Sequence, residues 1–203
     1  KRSEPPVLAV SEDRCSIVPL LGGHRGANDM ARRLAGALHG HAAVTTAGDT
    51  RFGVALDAPP CGWRLENPQD AKPAMAALLA GAAARITAEA DWLTALPVPR
   101  ADDASVMLSE DDAGRAPRPG ELLYRPQRLV LGMGAERGAP ADEAIALAEQ
   151  ALQQAGVSPL CLAMVATLDV KADEASLNAV AAHFNVPLRV FDAATLEAET
   201  HRL

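Results

Sequence analysis

The stretch VPLLGGHRGANDMARRLAGAL (18–38) constrains the fold most strongly, because three structural signals follow one another without a gap. An apolar run predicts a buried strand, Gly22-Gly23 predicts a break, and apolar residues at helical spacing predict an amphipathic helix that Gly40 ends. A further apolar strand is expected at 42–46. This strand–loop–helix–strand order is typical of a parallel sheet with crossover helices.

The same order recurs in the last third of the chain. RLVLGMGAERGAP (128–140) reads as a strand and a glycine loop, and 142–155 reads as an amphipathic helix. Later strand and helix signals complete a βαβαβα order. We therefore predict an α/β protein of two small modules, each a mostly parallel sheet flanked by helices. The first module, with a trailing linker, covers 1–125, and the second covers 126–203.

Other segments are assigned from periodicity and turn residues. Residues 96–128 are rich in Pro, Asp and Arg, and only Ser105–Ser109 looks like a strand, so we predict the module edge and then a linker. Residues 66–86 predict one long helix that starts at Asn67-Pro68. The remaining predictions are strands at Val7–Val10 and Ser16–Leu21, an N-cap at Asn28 or Asp29, and an N-cap at Asp173.

Composition limits the classes of function. Apolar residues make up 49% of the 203, which excludes a disordered chain, and no apolar run is long enough to span a bilayer. A net charge of −7 argues against a nucleic-acid partner. Cys15, Cys61 and Cys161 are far apart and suit reduced thiols better than a disulfide framework or a structural metal. We expect a soluble, cytoplasmic protein without a bound metal, and, because it begins at Lys1, an excerpt or a processed product.

The two glycine loops share a design that suits an acidic ligand. Each places glycines and an arginine where a helix begins, and a helix N-terminus exposes N–H groups that favour an anion. An arginine adds a fork that pairs with a carboxylate. The candidate binding residues are Gly22, Gly23, Arg25, Gly26, Asn28, Thr46, Gly132, Gly134, Glu136, Arg137, Gly138, Asp169 and Lys171.

Simpler interpretations stand beside this one. Glycine at a strand–helix junction often serves close packing alone, and the arginines could be solvated. A capped helix start with a solvated lysine explains Asp169, Lys171 and Glu174 without any ligand. Nucleotide is a rival anion, but GMGAERG departs from G-x-G-x-x-G, and no phosphate-binding G-x-x-x-x-G-K-[ST] loop exists in the sequence.

Two residues are candidates for catalysis. His24 has a side chain whose ordinary pKa suits acid–base chemistry near neutral pH, although a solvent-facing histidine would titrate without consequence. Asp49 follows the next strand and could orient His24 or activate a water, or it could cap a turn. The serine-hydrolase motif G-x-S-x-G is absent.

These residues carry a resemblance to a family. VPLLGGHRGANDMARRLAGAL with AAVTTAGD and ENPQDAK resembles the central region of the CbiG proteins of cobalamin biosynthesis. LVLGMGAERGAPADEAIALAEQAL with ATLDVKADEASLNAVAAHFNVPLRVFDAATL resembles their C-terminal domain, which also occurs alone as CobE. Such regions also occur fused to a precorrin C-methyltransferase. The resemblance implies that the second domain is truncated at Leu203.

The resemblance implies hydrolysis of the δ-lactone of cobalt-precorrin-5A, which gives cobalt-precorrin-5B and acetaldehyde. The substrate would be a precorrin or cobalt-precorrin ringed by carboxylates, and other enzymes of the pathway are expected partners. No cofactor is implied, because any cobalt belongs to the substrate. Two alternatives stay open: a non-catalytic precorrin-binding or carrier module, and a structural appendage of a methyltransferase.

Overall fold

The strands form three sheets in a computed structural model that describes residues 5–23, 26–44 and 51–199. By its internal contacts the chain divides into two units. Unit 1 comprises Lys1–Pro60, Asn67–Ser109 and Arg118–Leu123. Unit 2 comprises Cys61–Glu66, Glu110–Pro117 and Tyr124–Leu203. The second unit therefore includes short segments from the middle of the chain, and the division into modules at 125/126 stays a prediction.

The first strand–loop–helix–strand element of unit 1 is present. Its parts are β1 (Val7–Val10), β2 (Ser16–Leu21), α1 (Ala27–Leu38) and β3 (His41–Ala42). The sheet order is β1-β2-β3, in which β1 is antiparallel to β2 and β3 is parallel to it. Ile17, Ala31 and Ala35 are buried together where the helix covers the sheet. The strand predicted at 42–46 begins one residue earlier, and Thr45 and Thr46 lie outside the described residues.

The middle of the chain contains more strands than the sequence predicted. Its elements are β4 (Trp63–Leu65), α2 (Ala71–Leu79), β5 (Ala84–Thr87), α3 (Asp91–Thr94), β6 (Val106–Glu110) and β7 (Glu121–Pro126). Within unit 1, β5 and β6 are parallel, with Ala84 opposite Val106. Within unit 2, β4 and β7 are antiparallel, with Leu65 opposite Tyr124. The strand order of this sheet is β4-β7-β6-β5.

The helix predicted over 66–86 begins at the predicted Asn67-Pro68 signal, but it ends well before residue 86. A 3₁₀ turn at Pro68–Asp70 precedes α2, and α2 ends at Leu79. Gly81 has a φ of +97°, a left-handed conformation that glycine adopts without strain and that stops the helix. Ile86 then belongs to β5, where its branched side chain suits an extended backbone.

The linker predicted over 96–128 is also wrong in its second half. All six residues of β7 are buried. Leu122, Leu123 and Tyr124 are consecutive apolar residues, as expected for a strand that is covered on both faces. The flanking Pro, Asp and Arg residues gave the segment the composition of a linker. Glu121 and Arg125 also leave only three apolar residues between them, so the sequence analysis did not recognise the strand.

The last part of unit 2 confirms the predicted βαβαβα order. Its elements are β8 (Leu129–Gly132), α4 (Ala141–Gln154), β9 (Leu162–Leu168), α5 (Ala175–His183), β10 (Leu188–Phe191) and α6 (Ala193–Glu199). The three strands are parallel in the order β10-β9-β8. Leu152, Val165 and Val180 lie at the centre of the core between sheet and helices. The predicted α/β class, with mostly parallel sheets flanked by helices, is confirmed.

Candidate functional site

The first glycine loop turns sharply between β2 and α1. Gly22 has a φ of +76° and Gly26 a φ of +91°, conformations in which a side chain would be strained. The Gly22 carbonyl accepts a hydrogen bond from the Ala27 N–H (3.1 Å), and the Gly26 carbonyl accepts one from the Met30 N–H (2.9 Å). The two glycines therefore bring the first turn of the helix directly to the end of the strand.

Asn28 lies inside this turn rather than at its rim. Only 6% of the residue is exposed, and a Cβ added to Gly23 would lie 3.2 Å from the Asn28 Oδ1 atom. The N-cap of α1 is Gly26, so the prediction of a cap at Asn28 or Asp29 is wrong. The helix starts earlier because glycine can take the left-handed conformation that the turn requires.

A pocket of about 290 Å³ opens beside the first loop. Three of the predicted binding residues, Gly23, Gly26 and Asn28, line it together with the charged side chains of Asp29 and Arg32. Its remaining lining residues, which the sequence analysis missed, are Gly53, Val54, Ala55, Ala58, Pro59 and Pro60. A pocket of this size suits one substituent of a large ligand rather than a whole macrocycle.

Four predicted residues of this region lie outside the described residues: His24, Arg25, Thr46 and Asp49. Their roles in catalysis and binding stay predictions. At the start of α1, Asp29 accepts a hydrogen bond from Arg32 at 3.1 Å, and both side chains are substantially exposed. The charge at the mouth of the pocket is therefore mixed rather than wholly positive.

The second glycine loop joins β8 to α4 at the carboxyl edge of the unit 2 sheet. The Met133 N–H donates to the Ala166 carbonyl (2.9 Å), which continues the pairing of β8 with β9 into the loop. Gly138 has a φ of +79° and donates its N–H to the Glu174 Oε1 atom (3.1 Å). Glu174 is 4% exposed, so a buried carboxylate holds the end of the loop.

Arg137 reaches from this loop to the connection that follows β9. Its guanidinium donates to the Asp173 Oδ2 atom (3.2 Å) and to the Val170 carbonyl (3.2 Å). The hydrogen bond and the charge of Arg137 hold the pKa of Asp173 below its usual range. The predicted N-cap at Asp173 is wrong, since Glu174 occupies the N-cap position of α5 and Asp173 pairs with Arg137 instead.

The other predicted residues of this region share the same sheet edge. Asp169 and Lys171 form a 3₁₀ turn directly after β9, and the Asp169 carboxylate accepts the Val170 N–H (2.8 Å). Gly132, Gly134 and Glu136 are exposed along the loop. Because β8 and β9 are parallel neighbours, their carboxyl ends lie side by side, which is where ligands bind in open α/β sheets.

A buried ion pair in unit 2 was not found from the sequence. Arg125 is fully buried and pairs through Nε with the Glu66 Oε2 atom at 2.7 Å. The guanidinium also donates to the carbonyl oxygens of Asp111 (2.8 Å), Ala113 (2.6 Å) and Arg115 (2.7 Å). These contacts use four of the five N–H groups of the side chain and enclose it within the unit, so it is not available to a ligand.

Three other features were sought among the described residues: a reactive buried thiol, a metal site and a membrane-spanning helix. Burial and the nearby Asp112 carboxylate raise the pKa of the Cys161 thiol to about 11, so this sulfur is a poor nucleophile at neutral pH. No group of three or more His, Cys, Asp or Glu side chains with the arrangement of a metal site occurs in the described ranges. Nor does any helix there have the length and apolar character that crossing a membrane needs.

Two family models match the chain. Residues 1–49 match the model of the cobalamin synthesis G N-terminal region, and residues 129–203 match the model of the cobalamin synthesis G C-terminus. The second match covers the glycine loop of unit 2 and everything after it. The predicted resemblance is confirmed, although the first segment matches the N-terminal model of the family rather than a central one.

The chain is also similar to three curated proteins. The chain is 26% identical over 208 residues to a cobalt-precorrin-5A hydrolase from Priestia megaterium and 29% identical over 220 residues to one from Salmonella typhimurium, covering 91% and 99% of this chain. A stretch of 75 residues, 37% of this chain, is 59% identical to Protein CobE from Sinorhizobium. The chain covers 56%, 62% and 49% of these three relatives, so it spans about half of their length.

A solved structure, that of a cobalamin biosynthesis protein G homolog from Sulfolobus solfataricus, is also similar to this chain. The alignment covers 95% of this chain and 58% of that one, with 19% identity and a TM-score of 0.34.

Proposed function

We propose that this chain, which belongs to the cobalamin synthesis G family, hydrolyses the δ-lactone of cobalt-precorrin-5A during cobalamin biosynthesis. One observation carries the proposal: two relatives named cobalt-precorrin-5A hydrolase align with 91% and 99% of the chain, so the similarity includes both glycine loops. We also propose a cytoplasmic location and contacts with other enzymes of the pathway.

The reaction needs a water activated next to the lactone carbonyl. In the proposed mechanism His24 takes a proton from this water, and Asp49 orients the histidine. Water adds to the carbonyl and the ring C–O bond breaks, which leaves a carboxylate and a hydroxyl group. The C–C bond that joins the hydroxyl-bearing two-carbon unit to the macrocycle then breaks. The hydroxyl group loses its proton as acetaldehyde leaves, and the ring carbon keeps the electron pair of the broken bond and takes up a proton. Backbone N–H groups of the first loop would stabilise the oxyanion, and the Thr46 hydroxyl would be a further donor.

The substrate is a tetrapyrrole that carries acetate and propionate carboxylates. The pocket beside the first loop, at about 290 Å³, suits one such arm, and Arg25 would pair with it. In unit 2, Arg137 lies exposed at the edge of the sheet and already pairs with a carboxylate, that of Asp173. Local donors of this kind can hold an anion although the chain carries a net charge of −7.

The hydrolysis proposed here uses no cofactor, since the attacking group is water and the cobalt is part of the substrate. His24, Arg25, Asp49 and loop N–H groups would supply the proton transfer, the charge pairing and the hydrogen bonds. A second group of candidate binding residues lies in unit 2, near the carboxyl ends of β8 and β9: Gly132, Gly134, Glu136, Gly138, Asp169 and Lys171.

A second candidate is a non-catalytic module that binds or carries a precorrin. The observation that favours it is the 59% identity to Protein CobE over 75 residues, well above the identity of the chain to either hydrolase. Under this alternative the chain would bind the tetrapyrrole without changing its mass. Under the further alternative of a structural appendage to a methyltransferase, replacing Arg25 and Arg137 together would not alter the affinity for any tetrapyrrole.

The test is anaerobic incubation of this chain with the lactone-bearing cobalt intermediate, followed by mass spectrometry of the tetrapyrrole and trapping of acetaldehyde. The hydrolase from Salmonella typhimurium, run in parallel, shows that the substrate is competent. We expect loss of the two-carbon unit. An unchanged mass in the presence of a working parallel reaction would exclude hydrolysis by this chain, and tight binding without turnover would support the carrier instead.

A further inference from the structure

We propose that Glu174 is a positioning residue for carboxylate binding at the second glycine loop. The inference rests on the proposed function, because it assumes that the ligand of this loop is a polycarboxylate tetrapyrrole. It assigns different roles to two adjacent acidic residues. Glu174 fixes the backbone of the loop, and Asp173 holds the Arg137 side chain until a carboxylate of the ligand replaces it.

Glu174 occupies the N-cap position of α5 but does not cap that helix with its side chain. Its Oε1 atom accepts the N–H of Gly138, which lies 36 residues earlier in the chain (3.1 Å). The fully buried hydroxyl of Ser176 donates to the same oxygen (3.4 Å). A carboxylate that is 4% exposed is thus committed to the glycine loop of another β–α connection.

The backbone of Glu174 is fixed as firmly as its side chain. Its N–H donates to the Lys171 carbonyl (3.0 Å), and its carbonyl accepts both the Asn178 N–H (3.1 Å) and the Asn178 Nδ2 group (2.9 Å). Because these contacts hold the residue at both ends, the carboxylate has little freedom to leave Gly138. Glu174 therefore restrains the loop one residue away from the guanidinium that is to meet the ligand.

Arg137 and Asp173 contrast with this arrangement. Their side chains are 66% and 73% exposed, and their ion pair spans 3.2 Å at the surface. Exposed ion pairs are weakly held and exchange readily, because water solvates both partners well. A carboxylate of the ligand can take the place of Asp173 on the guanidinium, whereas it cannot displace the buried Glu174. The loop thus keeps its shape while its arginine changes partner.

The experiment compares the wild-type chain with Glu174→Ala, Glu174→Gln and a charge-matched control, Glu143→Ala. Glu143 is an exposed carboxylate in the first turn of α4, so its removal changes the net charge equally. The probe is uroporphyrin, a fluorescent tetrapyrrole that carries acetate and propionate groups, titrated by fluorescence anisotropy. Hydrogen exchange of residues 133–139 is measured in the same variants without the probe.

We expect Glu174→Ala to weaken the binding of uroporphyrin by about tenfold, the effect of losing one hydrogen bond to a charged group. Glu174→Gln keeps an oxygen that accepts the Gly138 N–H, so it should restore most of the affinity, and Glu143→Ala should leave it unchanged. Amide exchange of residues 133–139 should accelerate in Glu174→Ala alone. Val186→Ala, a truncation in the core of unit 2, is expected to lower the melting temperature without changing the affinity.

The outcomes separate the inference from the proposed function. If the wild-type chain binds uroporphyrin and Glu174→Ala binds it equally well, the positioning role is wrong and the proposed function is untouched. If exchange in residues 133–139 is the same in every variant, Glu174 does not hold the loop. Failure of the wild-type chain to bind the probe would overturn both the inference and the polycarboxylate ligand on which it rests.

Discussion

The two glycine loops have similar sequences, yet their surroundings differ. In both, a strand ends in glycines and a glycine with a positive φ precedes the next helix: Gly26 at +91° and Gly138 at +79°. The first loop packs on its own helix through Asn28 and borders a pocket. The second is held by Asp173 and Glu174 from the next β–α connection.

This difference shows what a strand–glycine–helix pattern specifies. The pattern sets the turn and brings backbone donors to the helix N-terminus, because those are local properties of the chain. Which donors already have a partner depends on residues far away in sequence. In the second loop, the carboxylate of Glu174 accepts the Gly138 N–H and that of Asp173 accepts a hydrogen bond from the Arg137 guanidinium, so both donors already have internal partners.

The largest expected effect is at the first loop. His24→Ala should lower the rate of lactone hydrolysis by at least about 100-fold, the usual contribution of general base catalysis. Binding of the tetrapyrrole should change little, because the histidine acts on water. The measurement is acetaldehyde release, with His41→Ala, an exposed histidine of the same unit, as the control. Equal rates for His24→Ala and the wild-type chain would move the catalytic role away from the first loop.

The next effect concerns the backbone of the second loop. Gly138→Ala should lower the free energy of unfolding by about 1–2 kcal/mol, because alanine is strained at a φ of +79°. Gly134→Ala is the matched control, since a Cβ there meets no atom within 4 Å and its φ is not positive. Urea denaturation measures both variants. Similar midpoints for the two would mean that the loop relaxes and that Gly138 is not required.

A smaller effect is expected from the exposed ion pair of the second loop. Asp173→Asn removes the internal competitor for Arg137, so it should strengthen tetrapyrrole binding by about two- to threefold, the scale of a surface ion pair. The lowered pKa of Asp173 keeps it ionised at neutral pH, and the pair is lost only when the pH falls through that pKa. Weaker binding by Asp173→Asn would show that Asp173 orients the arginine rather than competing for it.

The smallest effect is expected when the corresponding aspartate beside the first loop, Asp29, is replaced. Asp29 and Arg32 lie one helical turn apart, and their pairing at 3.1 Å is local. Asp29→Asn should therefore lower the free energy of unfolding by no more than about 0.5 kcal/mol. Urea denaturation checks this, with Asp142→Asn in the first turn of α4 as a comparison. A much larger loss would mean that the aspartate supports the wall of the pocket.

Most of the parallel α/β elements followed from hydrophobic patterning. The strands Val7–Val10 and Ser16–Leu21 have the predicted bounds, and the βαβαβα order of unit 2 was predicted in full. One failure, the missed strand β7, occurred where a strand contains buried charge. Burial of Arg125 in β7 depends on hydrogen bonds to Glu66 and to three carbonyl groups, and no local sequence pattern predicts those partners.

The candidate site was predictable in kind but not in detail. Glycine, arginine and helix N-termini identified the two loops, and Gly23, Gly26 and Asn28 do line a pocket. The caps predicted at Asn28 and Asp173 were wrong, because Gly26 and Glu174 occupy the N-cap positions. Asn28 is buried beneath Gly23, and Asp173 pairs with an arginine 36 residues away.

The sequence by itself determined the α/β class and the two strand–glycine–helix turns, and it predicts an acidic ligand for the residues of these turns. Hydrophobic periodicity and glycine stereochemistry act over a few residues, so they can be read along the chain. The tertiary structure decided that Glu174 restrains Gly138, that Arg125 is enclosed, and that residues 53–60 complete the pocket wall. Such pairings join residues far apart in sequence, and only the packed fold brings their polar atoms within hydrogen-bonding distance.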